Sequence, residues 1–577
     1  MDENLQRYAP PFVADEYSAD DRYLIEPFFS NLDQSVYLAL IPDPELVGAL
    51  MSRASRAAGD LRTIFLSDYI KPMLHPVFDK KKDTAATWQE KLDQASEMQA
   101  FIDFLHVHPF SKIFANRRAR DFYTKWLAQY GDDSIAQMTG MHLVFANISQ
   151  ITIKHFEDQR IGIAPIEQST RYVAYDTKVA DHYRYYSDPD LDNDTSLEGS
   201  YLFEEFEAAN DLLFETYSEL MPKLTSWLAE KYPEATPKDV KTKAFDSLRG
   251  LLPMGTQSQV AFYGNAQAFE HLVNRGQEHP LGEIRWAANR VREELSQRTP
   301  SLFRRVNDDS EKSVHYQKYL AGKTERLRDE SQEITELIIA SKLKEDRLAV
   351  KIIDCDPIEK AITAMIFSTA DYHESWDDTY AQVLKMDEAQ RDDIITKYLS
   401  GREVKWMKVG RAFEMCYVTI EIVMNIGAWR DLQRHRMLTQ MRQSFACHHG
   451  YDTPQVLIDS KIDKAYRAAL DNMSKVFKKI AKRNGNLAQY ATCLAHLVRF
   501  IQHKNLRECF WEGELRTIEE GHPDYRNVEQ LIFKKLEQRY PLITKHFLVN
   551  MNDYDFARRG EAKKIEAKLQ KLNLLKD

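Results

Sequence analysis

A chain of 577 residues is too long for one ordinary hydrophobic core, which makes two or more domains the expectation. Its 43% hydrophobic and 29% charged residues, with 20 glycines and 20 prolines, are those of a soluble globular protein, and no apolar run approaches the ~18 residues of a membrane span. A formal net charge of −10 argues against nucleic acid as a general partner, but not against an anionic small substrate gripped by a local cluster of arginines.

Residues 1–11 are polar and acidic, without the charged-then-apolar order of a signal peptide, so a cytoplasmic location is expected. Residues 1–30 read as an irregular, aromatic-rich lead-in. Residues 35–42 predict a short strand, and Asp43-Pro44-Glu45 opens a helix with an acidic cap and a proline in its first turn. The stretch 88–104 reads as a helical insertion peculiar to the first half. Residues 142–148 are an apolar segment, and 149–159 have helical spacing. The stretch 307–346 is dense in charge and nearly free of Gly and Pro, with one apolar patch, Leu337-Ile338-Ile339-Ala340. It predicts an exposed helical connector. Residues 350–355 predict a strand, and Asp356-Pro357-Ile358-Glu359 opens a helix over 360–367. Residues 417–423 alternate like a strand, and 425–433 follow as a short helix. The tail, 556–577, reads as a Lys-rich amphipathic helix.

The order strand, Asp-Pro, helix thus occurs twice, roughly 310 residues apart. A second echo lies farther on. Arg275-Gly-Gln-Glu-His279-Pro-Leu-Gly-Glu-Ile-Arg285 matches Arg516-Thr-Ile-Glu-Glu-Gly-His522-Pro-Asp-Tyr-Arg526, and an asparagine, Asn265 or Asn505, precedes each. The offset has then fallen to roughly 240 residues, as insertions in the first copy would produce. One domain has been duplicated, and the copies have diverged strongly.

The densest chemistry is Arg434-His435-Arg436, followed by seven residues and then Ser444. Cations after a helix complement its negative end, so a solvated cap is one reading. An anion grip is the other. The five cysteines (Cys355, Cys416, Cys447, Cys493 and Cys509) form no Cys-x-x-Cys pair, and His448-His449 would point apart on any regular element, so no metal site is expected.

With its spacing to Ser444, the Arg-His-Arg cluster resembles the signature of the flavin-dependent thymidylate synthases. The same family text surrounds it: Gly410-Arg411-Ala412-Phe413-Glu414 upstream, Asn505-x-Arg507 and Arg516 downstream. The first half carries complementary pieces. Tyr130-Gly131-Asp132-Asp133-Ser134-Ile135 resembles the family's Gly-x-x-Ser loop, and Glu167-Gln168-Ser169-Thr170-Arg171-Tyr172 its Glu-x-Ser-x-Arg-Tyr nucleotide strip. Arg249-Gly-Leu-Leu-Pro253 and Asn265 match later motifs. The resemblance covers most of residues 35–290 and 350–540.

The resemblance implies an α+β fold: two copies of a mostly antiparallel sheet with flanking helices, forming a pseudo-dimer. The expected domains are 1–310, with the insertion near 75–110, a connector at 311–346, and 347–577. It implies reductive methylation of dUMP to dTMP with FAD as cofactor, and methylenetetrahydrofolate and NADPH as co-substrates. It also implies a homodimer, in effect a tetramer of domains. Arg434, His435, Arg436, Asn505, Arg507 and Ser134 would bind the cofactor. Glu167, Ser169, Arg171, Arg249 and Ser444 would bind the nucleotide, and Arg516 would be catalytic by favouring ionisation of uracil N3.

Neither half is complete. The first has Gln159-Arg160-Ile161 where Arg-His-Arg should stand, and Gln267 where the second has Arg507. The second has Arg442 and Ala446 in place of Glu167 and Arg171, and Gln489 in place of Arg249. A composite site is therefore expected, with the nucleotide strip from the first half and the arginine cluster from the second. A flavoenzyme of this fold acting on another nucleotide or an RNA base, and a non-catalytic nucleotide-binding scaffold, stand as alternatives.

Overall fold

In a computed structural model, residues 3–570 are described apart from 81–82, 130–132, 159–160, 193–200, 328–329, 332, 335–347, 372, 558–566 and 569. Two four-stranded antiparallel sheets organise them. The first holds β1 (Val36–Ala39), β2 (Met141–Ser149), β3 (Ile163–Glu167) and β4 (Gln257–Gly264), in the order β1-β2-β4-β3. The second holds β5 (Ala349–Cys355), β6 (Tyr417–Asn425), β7 (Leu438–Arg442) and β8 (Leu497–Asn505), in the order β5-β6-β8-β7. The register repeats as well as the order. On β3, Ile163 faces Gly264 and Glu167 faces Val260; on β7, Leu438 faces Lys504 and Arg442 faces Phe500.

Helices start at matching places because a capping side chain recurs there. Ser149 accepts from Thr152 N–H to open α1 (Gln150–Glu157), and Asn425 accepts from Ala428 N–H to open α3 (Ile426–Leu432). Asn265 opens α2 (Ala266–Gly276) through Ala268 N–H, and Asn505 opens α4 (Leu506–Arg516) through Glu508 N–H. The repeated His-Pro leads into a helix through a similar turn in each half, although only His522 sits at the N-cap itself. His279 Nδ1 accepts from Leu281 N–H at 3.1 Å, and His522 Nδ1 from Asp524 N–H at 3.2 Å, each ahead of a long helix.

The expected helix after Asp356-Pro357 starts at Glu359, and its cap position, Ile358, makes no side-chain cap bond. The Asp356 carboxylate instead accepts from Tyr417 N–H at 2.9 Å, fastening the end of β5 to β6. The insertion is the helix Ala85–Val107, and the connector begins as the helix Glu311–Glu325. The patch at 337–340 and nearly all of the tail helix lie outside the described residues.

The halves share one apolar core, with a smaller cluster under the N-terminal helices of the first half. Their backbones also pair directly. Met254 N–H donates to Thr492 O at 2.7 Å, Leu494 N–H to Leu252 O at 2.9 Å, and Ala495 N–H to Gly250 O at 3.0 Å. Gly250 must be glycine at this seam, because an added Cβ would lie 2.1 Å from Tyr466 Oη. The Arg249–Pro253 motif thus lies where the copies meet. No described helix is long and apolar enough to cross a membrane.

Candidate functional site

Lys154 and Arg430 occupy the same place in the duplicated helices α1 and α3, and both reach Glu167 at the end of β3. Lys154 Nζ donates to Glu167 Oε2 at 2.8 Å and also bonds Glu157, while Arg430 Nη2 donates to Glu167 Oε1. Burial alone would raise the pKa of Glu167, but Arg430 and Lys154 pull it down to about 2. Glu157, with only a share of Lys154, is pushed up by burial. One carboxylate of the first half therefore holds a cation from each half.

Four of the arginines named from the sequence gather beside this pair, around Asp431. Burial opposes ionisation of Asp431, but the fields of Arg434, Arg249, Arg516 and Arg171 drive its pKa far down. Arg171 is spoken for: its Nε and Nη2 clamp Asp246 at 2.6 and 2.7 Å. Arg434 is 48% exposed, and its Nη1 lies 3.9 Å from Asp431. Arg249 and Arg430 differ. They are only 5% and 6% exposed, yet Arg249 Nη2 and Arg430 Nε and Nη1 have no hydrogen-bond partner among the described residues. Arg249 Nε would lie 3.5 Å from a Cβ added at Gly427, which sets it against the start of α3. Buried guanidinium donors are costly to leave unpaired, so this arrangement suits an incoming anion. In this cluster Lys154, Arg171, Arg249, Arg430, Arg434 and Arg516 outnumber Glu157, Glu167, Asp246 and Asp431, an excess of two positive charges.

His435 is buried, and protein groups hold both its ring nitrogens. Arg516 Nε donates to Nε2 at 2.8 Å, so the ring proton sits on Nδ1, which donates to Glu508 Oε1 at 2.7 Å. His435 thus bears on the site through Arg516. Its role as a direct cofactor ligand, expected from the motif, does not match this geometry. His435, Glu508 and Glu512 come close enough to resemble a metal cage. However, Lys504 Nζ donates to Glu512 at 2.6 Å and Arg516 holds the histidine, so protein cations already supply the charge a metal would bring.

Two cavities flank this centre and repeat each other. The second-half cavity, about 490 Å³, is lined by Arg436, Asn505, Arg507, Trp511, Lys405 and Lys408 among others. Arg436 Nη1 donates to Ile163 O at 2.7 Å, and Arg507 Nη1 to Glu414 at 2.6 Å. The first-half cavity, about 730 Å³, is lined at matching helix positions by Asn265, Gln267, Glu270, His271 and Asn274. There Arg305 is neutralised by Asp133 at 2.7 Å and Glu270 at 2.6 Å. The expected cofactor set is therefore split. Ser134 lies in the short helix Asp133–Met138, whose Asp133 lines the first-half cavity, whereas Arg436, Asn505 and Arg507 line the other.

The two serines differ too. Ser169 Oγ accepts from Arg171 N–H at 3.2 Å inside the strip, whereas Ser444 is exposed in the loop after β7. Ile161, which stands in the first half's broken Arg-His-Arg, is 68% exposed. Reading the sequence missed Lys154, Arg430, Asp431, Asp246 and Glu508. Arg430 and Asp431 precede Arg434 by one helical turn, and Lys154 repeats Arg430 in the copied helix, so spacing could have found them. Asp246 and Glu508 carry no such signal.

A family model described as thymidylate synthase complementing protein matches residues 81–301 and 353–542. The UPF0159 protein of Chlamydia pneumoniae is 29% identical over 95% of this chain and 98% of its own. That of Chlamydia muridarum is 31% identical over 94% and 97%. The flavin-dependent thymidylate synthase of Corynebacterium diphtheriae is 27% identical over 39% of this chain and 82% of its own. A solved UMP/dUMP methylase from Streptomyces cacaoi, bound with 5-Br dUMP, aligns with 35% of this chain and 95% of its own at 13% identity, with a TM-score of 0.28.

Proposed function

The chain belongs to the thymidylate synthase complementing protein family, and on that premise we propose that it is an FAD-dependent enzyme methylating dUMP to dTMP at one composite site. The observation that carries this reading is the pair of buried arginines, Arg249 and Arg430, contributed by opposite halves and left with unpaired donors. An excess of two positive charges around Glu167 and Asp431 suits a phosphate monoester dianion. In this reading Arg249 and Arg430 take the phosphate, and Ser169 and Glu167 border it. Arg171, fixed by Asp246, and Arg434 set the field. Arg516, steadied through His435, faces the base, where a fixed cation stabilises charge developing on uracil N3 by roughly 3 kcal/mol. Ser444, exposed beyond β7, keeps at most an edge role.

The second-half cavity supports the cofactor assignment through its donors, Arg436, Asn505, Arg507, Lys405 and Lys408, and its aromatic wall at Trp511. Bound FAD would supply the hydride chemistry. NADPH and methylenetetrahydrofolate are proposed as co-substrates, and a homodimer as the working assembly.

The test is spectroscopic. The purified protein should carry flavin absorbance that dUMP perturbs. Arg249→Ala and Arg516→Ala should each weaken dUMP binding about 10-fold or more, the equivalent of ~1.4 kcal/mol. Full dUMP affinity in Arg249→Ala would overturn the reading. Action on another nucleotide is the second reading. It is favoured by the carboxylates of the cluster: Asp246 already occupies two donors of Arg171, and Asp431 offsets the charge of the surrounding arginines. Rescue of a thymidine-requiring strain separates the two.

A further inference from the structure

Duplication creates two composite positions related by exchange of the halves, and the second has a different charge pattern. Arg442 faces Phe500 across β7 and β8 at the step where Glu167 faces Val260 across β3 and β4. The second position thus has a cation where the first has a carboxylate.

Its neighbours follow suit. Gln440 lies two residues before Arg442, on the same face of β7. Gln440 Nε2 and Arg442 Nε are both buried with no hydrogen-bond partner among the described residues. His155, which follows Lys154 on α1, has its Nε2 buried and unpartnered as well. Its ring meets that of His279 edge to face, with centroids 4.6 Å apart. His279 Nδ1 accepts from Leu281 N–H, so the neutral ring carries its proton on Nε2, as a donor.

Arg275 ends α2 much as Arg516 ends α4. Its side chain makes no hydrogen bond or ion pair with any described residue. Burial holds both imidazoles uncharged, and the nearby Arg275 and Arg442 add to it. The nearby carboxylate that acts on both arginines is Asp158, and it already accepts from Gln433 Nε2. The guanidinium of Arg442 lies over Phe445, 3.9 Å from the ring centroid, and its Nη1 donates to Gln443 O at 3.1 Å.

We propose that this second composite position, formed by Arg442 and Gln440 of one half and His155, His279 and Arg275 of the other, is a binding site for a phosphoryl dianion. Arginine forks, an amide and imidazole N–H groups together suit the oxygens of a phosphate. The site does no methyl transfer, because Gln489 and Ala446 stand where the first site has Arg249 and Arg171. The ligand is a phosphate monoester on a nucleotide or free orthophosphate, which share this chemistry. The inference rests on the exchange of the halves and on these unpaired donors, not on the proposed reaction.

Equilibrium dialysis of the full chain against labelled orthophosphate, and separately against labelled dUMP, tests it. The wild type should bind orthophosphate at two sites. Arg442→Gln should lose one of them by at least 10-fold in affinity, and Arg249→Ala the other. A dUMP stoichiometry that falls from two to one in Arg442→Gln makes the nucleotide the source. A dUMP stoichiometry of one in both proteins makes it free phosphate, and both results support the site. Arg275→Gln, at a half-buried side chain with no hydrogen-bond partner among the described residues, repeats the test if Arg442→Gln does not fold. Orthophosphate binding unchanged in a folded Arg442→Gln or Arg275→Gln overturns the proposal. A loss confined to Arg249→Ala does so too, while leaving the dUMP site intact as an idea.

Discussion

Glu167 is the residue on which both halves depend, because Lys154 and Arg430 converge on its two oxygens. Glu167→Gln would leave two buried cations without their shared carboxylate, at a cost of about 3–5 kcal/mol by denaturant unfolding. A near-neutral result would mean that the pair is not buried in solution. The pH dependence has a definite sign. The folded pKa of Glu167 is about 2 against an ordinary 4.5, so its contribution is complete above 4.5 and is lost as pH falls towards 2. Glu529 behaves in the opposite way. Burial, with Glu512 adding repulsion, raises it from 4.5 to about 8. The folded state then holds this proton more tightly than the unfolded chain, so stability declines as pH rises from 4.5 towards 8. Glu529→Gln should flatten that decline in unfolding curves recorded across the interval.

At the scale of elements, the duplicated asparagines explain why the two halves look alike where their sequences do not. Asn265 and Asn505 each cap the helix that follows the third strand of their sheet's order, and those helices line the two cavities. Asn505→Ala should lower stability by about 1 kcal/mol. It should also loosen Glu508, whose N–H the cap receives and whose carboxylate orients His435. Flavin retention, read by absorbance, that weakens well beyond what the small shift in the melting profile accounts for would separate the local effect from the global one. These caps also mark how far sequence reading reached. The strands β1, β2, β5 and β6 followed from apolar or alternating segments and the helix after Asp43 from its acidic cap, whereas β3, β4, β7 and β8 were not read from the sequence. Nor was the true start at Glu359, because Asp356 spends its carboxylate on Tyr417 of another strand.

For the whole molecule, the decisive feature is that the copies are not separate bodies. One apolar core and the backbone pairing of residues 250–254 with 492–495 run across the seam. Chains split within 335–347 should therefore be insoluble or unfolded when expressed singly. Co-expressed, they should recover a stable complex with nucleotide affinity, measured by size-exclusion chromatography and dUMP binding. A soluble, folded half would show that the seam is a late docking surface. The first half lacks a counterpart to Arg507, and the second lacks counterparts to Glu167, Arg171 and Arg249. Function by this reading exists only in the joined chain.

The sequence by itself determined the duplication, the α+β class, the family likeness and the identity of most charged groups, because motifs and periodicity are local and survive divergence. It could not tell that Arg171 would be tied to Asp246, that His435 would turn to Arg516 and Glu508, or that the short helix holding Ser134 would border one cavity and Arg507 the other. Those outcomes depend on which carboxylate, carbonyl or ring lies within about 3 Å of a donor after folding. Residues far apart in sequence settle that, 73 to 81 positions for these pairs and 263 for Glu167 and Arg430, and only the tertiary structure sets such distances.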